Sequence, residues 1–223
     1  TFASNTVLGH EYSGEVVDVG RDVETLKKGD LITAMSAQGC GRCVACEHGN
    51  FSFCSNSRSV MGGFGEYLRV PEEVAVKAPL GLSATDTALV EPFAIGLYGV
   101  RHAAIRPGDR VLVLGAGSVA LTTVWWAKRL GAGRVVAVSR AQSRAAMIKV
   151  MGADAFVTTG DDEVARIREA LGGEPDVVFE CAGVPGMLAK PIEHVRRKGI
   201  VMSLGFCTSD DPIVPGLAGM KQV

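Results

Sequence analysis

The chain has almost no charge imbalance. Its 23 Lys and Arg stand against 24 Asp and Glu, a formal net charge of −1, and no basic run stands out. That argues against nucleic acid or a membrane surface as partner. Long apolar runs are missing too. Residues 111–127 carry no charge, but Gly, Ser and Thr interrupt them, and they fall short of the roughly 20 apolar residues of a spanning helix. Internal repeats and low-complexity segments are absent. No secretory signal pattern is visible, and the chain opens at Thr1 instead of Met, so its true start is expected upstream. Cysteines number only six, and four of them cluster. That usage fits a metal site in a reducing, cytoplasmic compartment better than a disulfide framework. What remains is 223 residues at 47% hydrophobic, enough for one large or two modest domains with a sizeable core.

The stretch that organises the rest is residues 110–144. Val111-Leu112-Val113-Leu114 is a short branched run suited to a strand buried on both faces. Gly115-Ala116-Gly117-Ser118-Val119-Ala120 follows, a G-x-G-x-x-A. A helix is predicted from Ser118 to about Leu130, with Val119, Thr123, Trp126 and Leu130 on one stripe. Gly131 to Gly133 end it, and residues 134–138 return as a second buried strand. Strand, glycine turn, helix and strand in this order make a dinucleotide site credible. Gly115 permits the tight turn, and Gly117 lets backbone approach a pyrophosphate. The helix start offers free N–H groups and a positive dipole end to that anion. The plain alternative is an ordinary buried βαβ unit.

Residues 1–80 read as β-rich: a strand over 14–20, a second over 31–34, and a third over 66–70 after Gly62-Gly63-Phe64-Gly65. Short strands with turns between them suggest a small barrel-like domain. Inside it lie Cys40, Cys43, Cys46 and Cys54, spaced C-x2-C-x2-C-x7-C. A tight loop of thiolates supplies the four soft ligands of a closed, structural zinc site. Two disulfides or unpaired thiols are the alternatives. The ferredoxin run differs, since its fourth cysteine follows after three residues and precedes Pro. His48 lies in the same lobe, but four cysteines already complete a site, so it is read as a surface residue.

Ser83 and Asp86 form a capping box that starts a helix near Ala84. Glu91-Pro92 interrupts it, with a new helix over about 92–104. Beyond residue 144 the alternation continues. Helices are expected over 141–151, 161–171 (with Val164, Ile167 and Leu171 inward) and 191–197. Strands are expected over 155–158, 176–180 and 199–204, and a sixth would begin near residues 221–223. The pattern is α/β, a doubly wound parallel sheet preceded by a β-rich domain.

Gly9-His10-Glu11-Tyr12-Ser13-Gly14 with Val16, Val19 and Gly20 resembles the G-H-E-x-x-G-x-V-x-x-V-G signature of zinc-dependent medium-chain alcohol dehydrogenases. The four-cysteine loop is similar to their structural zinc lobe. Glu91-Pro92 resembles the E-P of the sorbitol, threonine and glucose dehydrogenase branch. The resemblance implies a GroES-like barrel over 1–97, a Rossmann domain over 98–223, and a catalytic zinc (Zn2+) between them held by His10, Glu11 and Glu91. The implied activity is hydride transfer between an alcohol or polyol, or its carbonyl product, and a nicotinamide cofactor.

Family members place a further ligand, usually cysteine, before the G-H-E, and residues 1–8 hold none. The C-terminal strand and helices of the family are also missing. The expectation is therefore an internal fragment of a longer enzyme, a homo-oligomer (dimer or tetramer) when full length. The alternative is a short protein without a working metal site.

An NAD enzyme usually ends its second strand with Asp or Glu on the ribose 2′-OH. Here that position is Ser139, followed by Arg140, with Arg144 one turn on. A small neutral residue admits a 2′-phosphate and guanidinium groups pair with it, so NADP is expected, with NAD as the alternative. Cys181 and Ala182, at the end of a later strand, are secondary cofactor candidates. Two further readings stay open: a zinc-free quinone or enoyl reductase of the same superfamily, and a nucleotide-binding module with structural zinc only.

Overall fold

The computed structural model describes residues 5–223; residues 1–4, the opening of the expected first domain, lie outside the described residues. The chain separates into two compact units, Thr1–Glu91 and Pro92–Val223, a division slightly before the expected 97/98 boundary.

The first unit runs β1 (Gly14–Glu15), β2 (Leu31–Ala34), β3 (Ala37–Gln38), α1 (Val44–Glu47), β4 (Arg58–Ser59), β5 (Ala75–Lys77) and α2 (Ala84–Ala88). Strand β2 pairs antiparallel with β1 on one side and β5 on the other, and β3 pairs with β4 in a separate ladder. Its core is small: Tyr12, Ala34, Val60 and Val74, with Leu68 and Val70 packed against them. Strand β2 has the expected bounds, while the strand expected over 14–20 shortens to two residues. Residues 66–70 form no strand, a correction to the sequence reading. This segment pairs with no strand among the described residues and instead packs Leu68 and Val70 against the small core. The capping box is present as expected: the Asp86 amide donates to the Ser83 hydroxyl at 3.1 Å, and the Ser83 amide donates back to the Asp86 carboxylate.

Helix α3 (Val90–His102) leads from the first unit into the second. The expected interruption at Glu91-Pro92 shrinks to the single residue Leu89. Pro92 lies in the first turn of α3, where its missing N–H has no intrahelical acceptor to lose. Then follow β6 (Arg110–Leu114), α4 (Ser118–Arg129), β7 (Arg134–Ser139), α5 (Ala145–Val150), β8 (Ala155–Thr158), α6 (Glu163–Leu171), β9 (Val177–Glu180), α7 (Ala189–His194), β10 (Ile200–Ser203) and α8 (Pro215–Lys221).

The five strands are all parallel in the order β10-β9-β6-β7-β8. Alternation divides them between two cores. Val111, Val113, Val135, Ala137, Val177 and Phe179 face α4 and α5. Leu112, Leu114, Val136, Val138 and Val178 face Ile167 and Leu171 of α6. Helices therefore cover both faces, as the doubly wound reading requires. Each fully buried branched side chain contributes about 1.5–3 kcal/mol of transfer free energy.

Several helix expectations need correction. The buried residues of α4 are Ala120, Thr122, Thr123, Val124 and Ala127; of the expected stripe Thr123 is buried, Val119 and Trp126 are partly buried against the core, and Leu130 is exposed. Small residues win that face because α4 lies close against the sheet and α3; a Cβ on Gly96 would sit 2.6 Å from the Thr122 hydroxyl. The helix expected over 141–151 splits into a 3-10 turn, Gln142–Arg144, and α5. In α6, Ile167 and Leu171 are buried but Val164 is exposed. Helix α7 begins before Pro191, which again occupies the first turn, and ends at His194, before the expected 197. Residues 215–221 form a helix ahead of the position read as the start of a sixth strand.

Candidate metal centres and cofactor cavity

The four clustered cysteines converge. Their sulfurs all lie within 4.8 Å of one another, and none is in a disulfide. The ladder β3–β4 closes the base of the loop, and α1 carries Cys46 into it. Gly39 is required by that approach, since a Cβ there would meet the Cys46 sulfur at 2.7 Å. The Cys40 amide donates to the Cys54 sulfur at 3.3 Å and pulls that thiol down to about 7. The Cys46 amide draws Cys43 down as well. Neighbouring sulfurs and burial outweigh it and push Cys43 up to about 11. Four thiols this close cannot all ionise alone, and a divalent soft cation relieves that conflict. Metal–sulfur bonds of about 2.3 Å place tetrahedral sulfurs about 3.8 Å apart, so the cluster fits zinc. His48 is exposed and stands outside this group of donors.

A second set of donors lies apart from the first: His10, Glu11 and Glu91, with ligand atoms mutually within 4.8 Å. His10 Nε2 is 3.8 Å from Glu91 Oε1. Residues distant in sequence are brought together by two sets of bonds. The Gly62 and Gly63 amides donate to the Gly9 carbonyl at 3.0 and 2.9 Å, and the Phe64 amide donates to that of Leu8 at 3.0 Å. Gly9 itself has φ +97, and a Cβ there would strike Phe64. The glycine run that reads as a strand lead-in thus cradles the histidine segment. On the other side the Ser13 hydroxyl donates to the Ala84 carbonyl at 2.6 Å, tying the segment to α2 and so to the first turn of α3, where Glu91 sits. Burial pushes the Glu91 carboxyl up from its ordinary value; His10 opposes that and Glu11 adds to it. One imidazole and two carboxylates form a donor set that zinc accepts while leaving a coordination position open.

The glycine turn between β6 and α4 opens into a cavity of about 520 Å³ in the second unit. Gly115 has φ +130, and a Cβ would press the Cys181 carbonyl at 3.1 Å. Gly117 has nothing within 4 Å of a Cβ, so its backbone stays open to a ligand. It is the N-cap of α4 with no side-chain cap, which leaves the first-turn N–H groups unpaired by side chains. Of the residues expected to bind cofactor, Gly115, Ala116, Gly117, Ser139, Arg140, Cys181 and Ala182 line the cavity, whereas Ser118, Val119 and Arg144 do not. The Ser139 hydroxyl accepts from the Ala141 amide at 3.3 Å. Cys181 is a buried thiol pushed up to about 12 by burial, which suits a wall residue and not a ligand.

Sequence reasoning missed Thr159, Glu163, Pro185, Met187 and Lys190, which also line the cavity. The signal was available, because they follow the carboxyl ends of β8 and β9, where such sheets bind ligands. It also missed the clamps behind that wall. Buried Glu180 accepts from the Ala182 and Gly183 amides at 2.6 and 2.9 Å, and Asp211 accepts from the Gly186 and Leu188 amides at 2.8 and 2.9 Å.

Comparison with known proteins agrees with this architecture. Residues 1–80 match the family described as alcohol dehydrogenase GroES-like domain, and residues 118–223 match the family described as zinc-binding dehydrogenase. Sorbitol dehydrogenase of Arabidopsis thaliana is 31% identical over 95% of this chain and 62% of its own length. A Sinorhizobium meliloti 1021 protein described as a zinc-binding dehydrogenase, solved bound to NADP, is 33% identical with a TM-score of 0.88. That match covers 98% of this chain and 67% of the other. The rspB alcohol dehydrogenase of Escherichia coli CFT073, solved with NADH, is 25% identical with a TM-score of 0.87, covering 96% of this chain and 65% of the other. The chain spans about 60% of the length of the curated relatives it matches. On its two family matches, its GroES-like and Rossmann units and its likeness to named dehydrogenases, the chain belongs to the zinc-dependent medium-chain alcohol dehydrogenase superfamily.

Proposed function

We propose that this chain carries the metal and coenzyme sites of a zinc-dependent oxidoreductase. It would transfer hydride between an alcohol or polyol, or its carbonyl product, and NADP(H). The observation that carries the reading is the convergence of His10, Glu11 and Glu91 to within 4.8 Å, apart from the four-cysteine cluster. A closed thiolate set serves structure, and a mixed nitrogen and oxygen set with an open position serves catalysis. When bound, zinc supplies a Lewis acid for the substrate oxygen, and the nicotinamide supplies the hydride acceptor or donor.

The chain's own residues bind and orient. Gly117 and the first turn of α4 receive the pyrophosphate, where N–H groups and the helix dipole favour an anion. Ser139 leaves room beside the ribose, and the Arg140 guanidinium, at the cavity wall, pairs with a 2′-phosphate. The same reading makes the full-length enzyme a cytoplasmic homo-oligomer, a dimer or tetramer, acting on small molecules. No helix among the described residues is long and apolar enough to cross a membrane.

Steady-state kinetics of the purified full-length gene product with sorbitol and 2,3-butanediol test the reading. Zinc-dependent turnover is expected, with kcat/KM for NADP at least about tenfold above NAD, a margin worth about 1.4 kcal/mol of transition-state binding. Arg140→Ala should erase most of that margin. Equal kcat/KM for the two coenzymes would contradict the NADP assignment, and turnover that survives zinc removal would contradict the metal assignment.

A further inference from the structure

The cavity continues past the residues that answer for pyrophosphate and ribose. Beyond Ser139 and Arg140, at the end of β7, its wall is made by Thr159 after β8, Glu163 at the start of α6, Val184 and Met187 after β9, and Lys190 on α7. Strand order places β8 on the far side of β7 from β6. A dinucleotide whose pyrophosphate lies at β6 and whose ribose lies at β7 therefore extends its base toward β8 and α6. The slot there is apolar on the β9 side and polar at its rim, the usual composition of a site for a flat heteroaromatic ring.

Glu163 is the one carboxylate on that wall. Its side chain is only 16% exposed, and its Oε1 is faced at 3.7 Å by Nε2 of His194, whose side chain is 3% exposed. Among the described residues His194 Nε2 makes no hydrogen bond, and its approach to Glu163 is a polar contact just longer than one. Burial lowers the proton affinity of this imidazole, and the Lys190 charge adds to that, so the ring faces Glu163 neutral. Glu163 is thus a carboxylate without a close cation, held at a cavity wall with lone pairs to spare.

We propose, resting on the coenzyme reading above, that Glu163 accepts a hydrogen bond from the exocyclic amino group of the adenine ring. His194 backs it from the buried side and holds its orientation. The pair would make the coenzyme's base a recognised group. A hypoxanthine base puts a carbonyl oxygen where adenine has its amino donor, so it removes the bond and sets an oxygen against a carboxylate.

Calorimetric titration of the purified protein with NADP and with its hypoxanthine analogue, deamino-NADP, tests this. The wild-type protein is expected to bind NADP about tenfold more tightly than the analogue, the scale of one charge-assisted hydrogen bond. In Glu163→Ala that ratio should fall to about one. Should the alanine variant melt well below the parent, Glu163→Gln reads the same ratio and is expected to narrow it part-way, because it keeps an acceptor oxygen without the charge. His194→Gln should narrow it too while leaving the affinity for deamino-NADP nearly unchanged, a selectivity that simple loss of packing would not produce. An unchanged ratio in Glu163→Ala overturns this assignment alone. Failure of the wild-type protein to bind either compound overturns the coenzyme reading along with it.

Discussion

Asp176 shows how much one carboxylate organises. Its Oδ2 accepts from the Arg110 amide at 2.9 Å and from Arg110 Nε at 3.1 Å, and its Oδ1 accepts from Arg196 Nε at 2.6 Å. It stands just before β9 and so ties the start of β6 to the loop before β10. Partial burial by itself would raise this carboxyl, but the two guanidinium groups and the Arg110 amide outweigh it and hold it down at about 2. The folded value lies below the unfolded one, so the stabilisation is complete above about pH 4 and is lost as pH falls toward 2. Asp176→Asn is expected to lower the melting temperature at neutral pH by several degrees and to flatten the fall in stability between about pH 4 and 2. Melting curves across that range check both. An acid limb identical in the two proteins would show that other carboxylates govern it. Nothing in the local sequence around Asp176 announced this role, because both arginines come from other elements. His10, Glu11 and Glu91 were legible because each sits in a short recognisable pattern; the Ser13 bond to Ala84 that unites them was not, since it joins distant segments through a backbone carbonyl.

At the scale of elements, the β6-α4-β7 unit was legible almost to the residue. A buried branched run, a glycine turn and a second branched run each allow few alternatives. The limits appear where local pattern meets tertiary competition. Residues 66–70 look like a strand but pair with none, giving Leu68 and Val70 to the small core instead, and the fully buried positions of α4 are mostly small residues. The two glycines of the turn give a sharp contrast for experiment. Gly115→Ala places a side chain at φ +130 against the Cys181 carbonyl, and is expected to destabilise the second unit by about 1–3 kcal/mol. Gly117→Val enters open space, so the fold should survive with a melting temperature within a few degrees of the parent. The added side chain would then stand where a pyrophosphate must approach, and NADP affinity should drop at least about tenfold. Melting and titration of both variants separate the roles. A Gly117→Val protein that binds as tightly as the parent would remove the pyrophosphate from this turn.

The molecule as a whole places two kinds of donor set in its first unit and a coenzyme-sized cavity in its second. The class of fold was legible because alternation of strands and helices is a property of the whole chain. Of the cavity's polar rim, Ser139 and Arg140 were legible at the end of β7, whereas Thr159, Glu163 and Lys190 were not read, because they come from separate elements that only the folded sheet brings together. Central to this account is the claim that the first unit holds two metals of different purpose. Zinc content per chain, measured by mass spectrometry on the purified protein and on its His10→Ala and Glu91→Gln variants, tests that claim most directly. The account predicts two zinc ions in the parent and one in each variant, with the remaining ion lost only when Cys40, Cys43, Cys46 or Cys54 is changed. One ion in the parent, or two that persist in His10→Ala, would contradict it.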